Sequence, residues 1–358
     1  MRKKIFKWHS VSALIAMLPL FIISITGSIL VFKVEVDYLL MPEKTMVDVS
    51  DSTPRLPIDT LIESVNQAHP EYVVGSWEIF DNKVRADTAY LIEKGTDEWH
   101  KLYINQYTGE VLAAPVDVSH YLTDWLLDLH YKFLLNTSGA TVGAVVAILF
   151  LFLGGSGIYL YRNFWKHFFT LRIDKARRIF FSDIHKMIGI VSSPIILILA
   201  FTGGYWNISE VVHEVTEHAF EEHYLIEKPL YNTDLSIQAL LDEQTQHIKD
   251  FKATYLVLPF EPELPITFYG EVNSANPLHS EYASTLTYDV QSGELLQVAD
   301  VRTSPTLHVV VDSFRKLHFG YFGGLTTKII WCVIGLSPVF LAFTGLYLYL
   351  VRSRRITG

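Results

Sequence analysis

Four nearly uncharged stretches, Val11 to Phe32, Gly139 to Tyr161, Ile184 to Trp206 and Thr326 to Val351, limit what this chain can become. Each is long enough for a helix to cross a hydrocarbon core, which takes about 20 apolar residues. Half of the 358 residues are hydrophobic and the mean hydropathy is +0.25, yet 19% are charged. Such a chain needs both a membrane part and a water-facing part. The single cysteine, Cys332, lies inside the fourth run, so neither an intrachain disulfide nor a cysteine metal cluster can form. Arg2-Lys3-Lys4 before the first run has the look of a signal peptide. The run exceeds the 7–15 apolar residues of a signal, however, and no small-x-small site follows it, which predicts a retained helix.

Basic residues orient the four helices. Arg2, Lys3, Lys4 and Lys7 precede the first, Arg162, Lys166, Arg172, Lys175, Arg177 and Arg178 follow the second, and Arg352, Arg354 and Arg355 close the chain. These short segments hold thirteen of the 29 Lys and Arg. The positive-inside rule makes them cytoplasmic and puts the connections 34–137 and 207–325 outside. The net charge of −9 then sits mainly on the exterior, which argues against nucleic acid as a partner.

The chain also repeats itself. Leu129-His130-Tyr131-Lys132 has a twin in Leu317-His318-Phe319-Gly320, His120 has one in His308, and Gly157-Ile158-Tyr159-Leu160-Tyr161 has one in Gly345-Leu346-Tyr347-Leu348-Tyr349, each displaced by 188 residues. His9 lies 17 residues before Thr26-Gly27 and His185 lies 17 before Thr202-Gly203, a displacement of 176. A duplication with an insertion of about a dozen residues produces this pattern. The two exterior segments repeat as well. Pro57 to Ala68 has helical spacing and precedes strand-like Tyr72 to Phe80, Thr88 to Glu93 and Trp99 to Asn105; Leu235 to Phe251 precedes Thr254 to Phe260, Pro265 to Val272 and Ser284 to Val290. Turns at Thr108-Gly109-Glu110 and Ser292-Gly293-Glu294 follow, with glycine offering the positive φ of a tight bend.

A helix, strands and a polar-(Thr/Ser)-Gly-Glu-(Val/Leu) turn resemble the PepSY domain. His185-Lys186-Met187-Ile188-Gly189, leading into an apolar helix that reaches Thr202-Gly203, resembles the PepSY-associated transmembrane family, and the likeness runs from Trp8-His9 to the basic tail. His9-Ser10-Val11-Ser12-Ala13 departs from it by lacking the counterpart of Gly189. The family includes inner-membrane ferric-siderophore reductases. The resemblance implies a haem-binding, iron-regulated protein of bacteria with an outer membrane.

The predicted fold is a mainly α membrane protein: four transmembrane helices in a duplicated two-helix repeat, each repeat carrying a small α+β PepSY-like periplasmic domain. The boundaries are 1–33 for the start and first helix, 34–118 for the first periplasmic domain and 119–161 for an interfacial helix and the second span. A cytoplasmic loop over 162–183, the third span over 184–206 and the second periplasmic domain over 207–305 follow. Residues 306–351 form an interfacial helix and the fourth span, and 352–358 the tail.

Parallel repeats bring equivalent residues together across an axis along the membrane normal. His9 and His185 are thereby expected to face one another near the cytoplasmic side, and His130 and His318 near the exterior. Ionisable groups inside a bundle are costly and usually functional, and imidazole is an axial ligand of haem iron. The expectation is two b-type haems, with His9, His130, His185 and His318 as cofactor-binding and metal-ligating residues. His120 and His308 are the alternative exterior pair. No Cys-x-x-Cys-His for covalent haem occurs. Gly154, Gly155, Gly157, Gly203, Gly204 and Gly345 admit either a macrocycle or close helix contact. His213, His218 and His223 read as solvated, and His167 with Phe164, Trp165, Phe168 and Phe169 as an interfacial belt.

Two haems across a bilayer make an electron wire. No Gly-x-Gly-x-x-Gly or P-loop is present, so a separate donor, a cytoplasmic reductase or quinol, is required. By the family resemblance the acceptor is a ferric siderophore in the periplasm. A cleft between the two exterior domains, lined by Tyr121, Trp125, Tyr131, Phe319, Tyr321 and Phe322, is the expected docking place. The alternatives are a haem-free PepSY scaffold that modulates a peptidase, and a haem subunit that feeds another periplasmic oxidoreductase.

Overall fold

The computed structural model describes residues 1–49, 53–166, 171–220 and 224–357, leaving aside the side chains of 165, 217–220 and 354–357. In chain order the elements are α1 (Arg2–Leu30), α2 (Lys33–Leu40), α3 (Pro42–Thr45), α4 (Ile58–Ala68), β1 (Tyr72–Glu78), β2 (Asp87–Glu93), β3 (Trp99–Ile104) and β4 (Val116–Asp117). There follow α5 (Leu122–Lys132), α6 (Asn136–Leu160), α7 (Arg177–Phe220), α8 (Ile237–His247), β5 (Lys252–Val257), β6 (Ile266–Glu271), β7 (Ser284–Tyr288) and β8 (Leu295–Ala299). The chain ends with α9 (Thr306–Phe319), α10 (Gly324–Gly335) and α11 (Ser337–Thr357). It forms two compact bodies. One comprises Met1–Lys33, Leu122–Phe220 and Leu317–Gly358, the other Val34–Tyr121 and Glu221–Lys316.

The first body is helical, and four of its helical segments are long and apolar enough to cross a membrane. α1 and α7 each pack on both α6 and α11. Large apolar side chains such as Ile15, Leu18, Ile148, Val333 and Phe343 point outward, while Ser12, Ser24, Ser28, Ser192, Ser193, Ala16 and Ala140 are buried. Small and hydroxyl residues inside let backbones approach where lipid leaves no hydrophobic force between helices. Two features depart from the runs read in the sequence. α7 extends 44 residues, about 66 Å at 1.5 Å per residue. It passes Trp206 because no glycine or proline follows Gly204 to stop it, and Glu210 and Glu214 favour helix. The fourth span is broken at Leu336, between α10 and α11. Pro338, just beyond, has no N–H to return to the preceding turn. One turn before the break, the Ser28 hydroxyl of α1 donates to the Cys332 carbonyl at 3.1 Å.

In the second body the two expected α+β units share one sheet. Its strands form one sheet of eight, in the order β4-β3-β2-β1-β5-β6-β7-β8, with every neighbouring pair antiparallel. β1 and β5 join the halves through Ser76↔Val257, Trp77↔Leu256 and Glu78↔Tyr255. Each would otherwise be an unpaired edge. One core serves both halves: Leu61, Val65, Trp77, Leu91 and Leu102 pack in a cluster with Leu240, Leu256, Phe268, Leu286 and Tyr288. The helices even cap each other. Asp59 of α4 accepts from the Ile237 and Gln238 amides of α8 (2.8 and 3.1 Å), and the Ile58 amide donates to Gln238 Oε1 (2.8 Å). The two units are thus joined edge to edge through β1 and β5. The turn glycines Gly109 and Gly293 take φ of 76° and 72°, as the turn reading requires.

Candidate functional site

In the helical body each of the four expected histidines is seated on another helix in the same way. Nδ1 of His9 in α1 lies 2.7 Å from Ser156 Oγ in α6, and that of His185 in α7 lies 2.8 Å from Thr344 Oγ1 in α11. Nδ1 of His130, in the last turn of α5, is 3.0 Å from Thr26 Oγ1 in α1, and that of His318, in the last turn of α9, is 2.8 Å from Thr202 Oγ1 in α7. A glycine follows every one of these hydroxyl residues, and the histidine Cε1 rests over it. A Cβ would lie 2.6 Å from Cε1 at Gly27, 3.1 Å at Gly203, 3.4 Å at Gly345 and 3.8 Å at Gly157. Seat and histidine are related between the halves by the same displacements of 176 and 188 residues found in the sequence.

The hydroxyl contacts support one assignment of the ring proton. Thr26, Thr202 and Thr344 each donate to a carbonyl one turn back, those of Ile22, Ile198 and Phe340, all at 2.8 Å, and Ser156 donates to Leu153 at 3.3 Å. A hydroxyl has one hydrogen, and one given to the helix carbonyl leaves the oxygen to accept from the imidazole. With the hydroxyl hydrogens so assigned, Nδ1 is the protonated nitrogen and Nε2 keeps its lone pair. Among the described residues no hydrogen bond reaches Nε2 of any of the four. This is the arrangement that orients an imidazole toward a metal: the distal N–H is tied down and the other nitrogen is free to ligate.

Two of the rings come together directly. His130 and His318 have ring centres 6.3 Å apart with planes at 69°. His9 and His185 stand at equivalent places in α1 and α7, each seated on the helix that follows in its own half, α6 and α11. Two metal–nitrogen bonds of about 2 Å, plus a ring radius of about 1 Å on each side, span about 6 Å, which fits one metal between His130 and His318. Along α1 the level of His9 and the level of Thr26 are 17 residues, or about 26 Å, apart.

The other candidates fall elsewhere. His120 and His308 are exposed and belong to the sheet body, His120 meeting the edge of Tyr121 at 5.1 Å. His213 lies on the polar extension of α7. The side chain of His218, His223, and His167 with Phe168 and Phe169 of the expected belt lie outside the described residues. Of the small residues, Gly157, Gly203 and Gly345 are seats, whereas Gly154 and Gly204 face Leu197 and Ala147 as helix contacts. Ser156 and Thr344 were not singled out by sequence reasoning. Their signal was present: each stands directly before a repeated glycine, as Thr26 and Thr202 do. On the sheet body Glu93, Glu98 and His100 also converge, but Glu98 is exposed and nothing else there points to an ion.

Residues 6–352 match the family described as PepSY-associated TM region. A search of curated proteins finds no match. With nearly the whole chain covered and four helices able to span a bilayer, this is a membrane protein, and it belongs to the PepSY-associated TM region family.

Proposed function

We propose that this protein is a bacterial inner-membrane di-haem electron carrier that reduces ferric siderophores in the periplasm. The observation that carries the reading is the set of four imidazoles with Nδ1 tied to a hydroxyl, standing at two levels of one bundle, with His130 and His318 ring to ring. His9 and His185 would hold one b-type haem and His130 and His318 the other, and the halves that supply them derive from one duplicated unit. Haem bound at each pair would supply a one-electron station whose potential follows from ligands and burial. The chain's own contribution is to keep each Nε2 unprotonated and aimed, through a hydroxyl that has already given its hydrogen to the backbone. Seating every ring over a glycine removes the freedom to turn away.

Direction follows from the basic segments, which place the start of α1 and the α6–α7 connection in the cytoplasm and the sheet body in the periplasm. The His130/His318 level is then the exit. A reductase or quinol supplies electrons from outside this chain, and each ferric ion takes one electron to become ferrous, weakening the hold of hard oxygen ligands. Anaerobic mixing of the dithionite-reduced protein with a ferric siderophore tests the reading: reoxidation within seconds supports it. Failure of several chemically distinct ferric siderophores to reoxidise a protein that an artificial oxidant does reoxidise would assign another acceptor.

A further inference from the structure

The end of α5 and the end of α9 carry His130 and His318, and helix ends leave carbonyls without partners, at a cost of several kcal/mol each in an apolar medium. One buried side chain answers each. The Trp331 indole N–H of α10 donates to the Leu317 carbonyl at 2.6 Å, directly before His318. Asn207 Nδ2 of α7 donates to the Tyr131 carbonyl at 3.0 Å, directly after His130, and to that of Ala140 at 3.3 Å. Trp331 and Asn207 are 8% and 9% exposed, so neither bond is shared with solvent.

The surrounding chain is cut to admit them. A Cβ on Gly143 would collide with the Asn207 amide, and one on Gly320 with the Trp331 ring. By the displacements that relate the halves, the counterpart of Trp331 is Gly143 and that of Asn207 is Val31. One half thus uses a large donor of its own, and the other opens a notch for a donor from across the bundle. The turn after His130 needs the help: Phe133, Leu134 and Asn136 have φ of 52°, 60° and 50°, a conformation that persists in such residues only when its surroundings hold it. After His318 the positive φ values of 74° and 65° fall on Gly320 and Gly324 instead.

We propose that Asn207 and Trp331 are positioning residues, Asn207 for His130 and Trp331 for His318. The proposal rests on reading these histidines as one ligand pair. His9 and His185 lie inside continuous helices and have no such support to lose.

The test uses full-length protein carrying Trp331→Phe or Asn207→Leu, which keep the bulk and remove the donor. In protein prepared without haem, deuterium exchange at each histidine Cε1 is followed by mass spectrometry. Trp331→Phe should raise exchange about tenfold at His318, and Asn207→Leu about tenfold at His130, with His9 and His185 changed less than about twofold. Gly143→Ala, which builds into the space of the amide, should reproduce the Asn207→Leu pattern. Unchanged exchange at the targeted histidine, or an equal rise at all four, overturns the assignment. In haem-loaded protein the same substitutions should shift one of two low-spin electron paramagnetic resonance signals and leave the other. A parent with no haem signal at all sinks the proposed function while the exchange result still decides the positioning.

Discussion

His9 and His185 occupy the interiors of continuous helices, whereas His130 and His318 stand in the last turns of short ones. All four use the same seat, a hydroxyl followed by glycine, but the seats differ in tightness. Those under His130 and His318 leave a Cβ only 2.6 and 3.1 Å from the ring, and those under His185 and His9 leave 3.4 and 3.8 Å. Where the backbone carrying a histidine is already fixed by helix hydrogen bonds, a loose seat suffices. Where the helix stops, position comes from a close glycine contact and a side-chain donor to a terminal carbonyl. His318 also has Trp206 against its ring at 5.0 Å, while the matching position in the other half is Leu30. The pair at the helix ends is therefore the one whose surroundings the two halves have varied.

The largest expected effect separates the pairs outright. His185→Ala or His9→Ala should halve the haem content by removing one haem, and His130→Ala or His318→Ala should halve it by removing the other. Haem quantified in the double variant His9→Ala with His185→Ala should equal that of either single. Loss of both haems in that double variant, or loss of the same haem from His9→Ala and His130→Ala, breaks the pairing.

Next come the seats. Alanine at Gly27 should displace the His130 ring and cut haem occupancy of that pair severalfold, since overpacking costs about 1–3 kcal/mol. Gly203→Ala should act in the same direction and less, Gly345→Ala less again, and Gly157→Ala should be neutral. Titration of haem into the four variants reads this order directly, and equal losses at Gly27 and Gly157 would mean that the seats do not differ.

Removing the hydroxyls should have a smaller effect. Thr202→Val and Thr344→Val keep the shape but strip the acceptor from Nδ1. Partners in this position are worth about 10–100-fold in metal affinity, and a hydroxyl belongs at the lower end. Each should raise the midpoint potential of its own pair alone, because a less basic imidazole stabilises ferric iron less, and lower that pair's haem affinity, both visible in a redox titration. The smallest effect lies outside the bundle: Asp59→Ala uncaps α8 and should cost about 1 kcal/mol of stability in the sheet body, with haem content unchanged.

Much of this was legible in the sequence for physical reasons. Long apolar runs report helices in lipid because the bilayer demands internal hydrogen bonding, and four were there to read. Fixed displacements between His9 and His185, and between His130 and His318, marked them as equivalent positions without any contact information. The seats were harder: Ser156 and Thr344 sit in apolar helices where buried hydroxyls are common, so only their place before Gly157 and Gly345 marks them. Asn207 and Trp331 were beyond reach, because their roles differ between halves and a search for repetition passes over what does not repeat. The joining of β1 to β5 was hidden for a related reason, since strand pairing across some 180 residues leaves no local periodicity to read.

The central claim is that four seated imidazoles ligate two haems, and the most direct measurement is a reduced-minus-oxidised spectrum of the purified protein with haem counted per chain. The account predicts two b-type haems per chain, both with the low-spin signature of paired imidazoles. A protein that carries no haem as purified and takes up none on titration would contradict it.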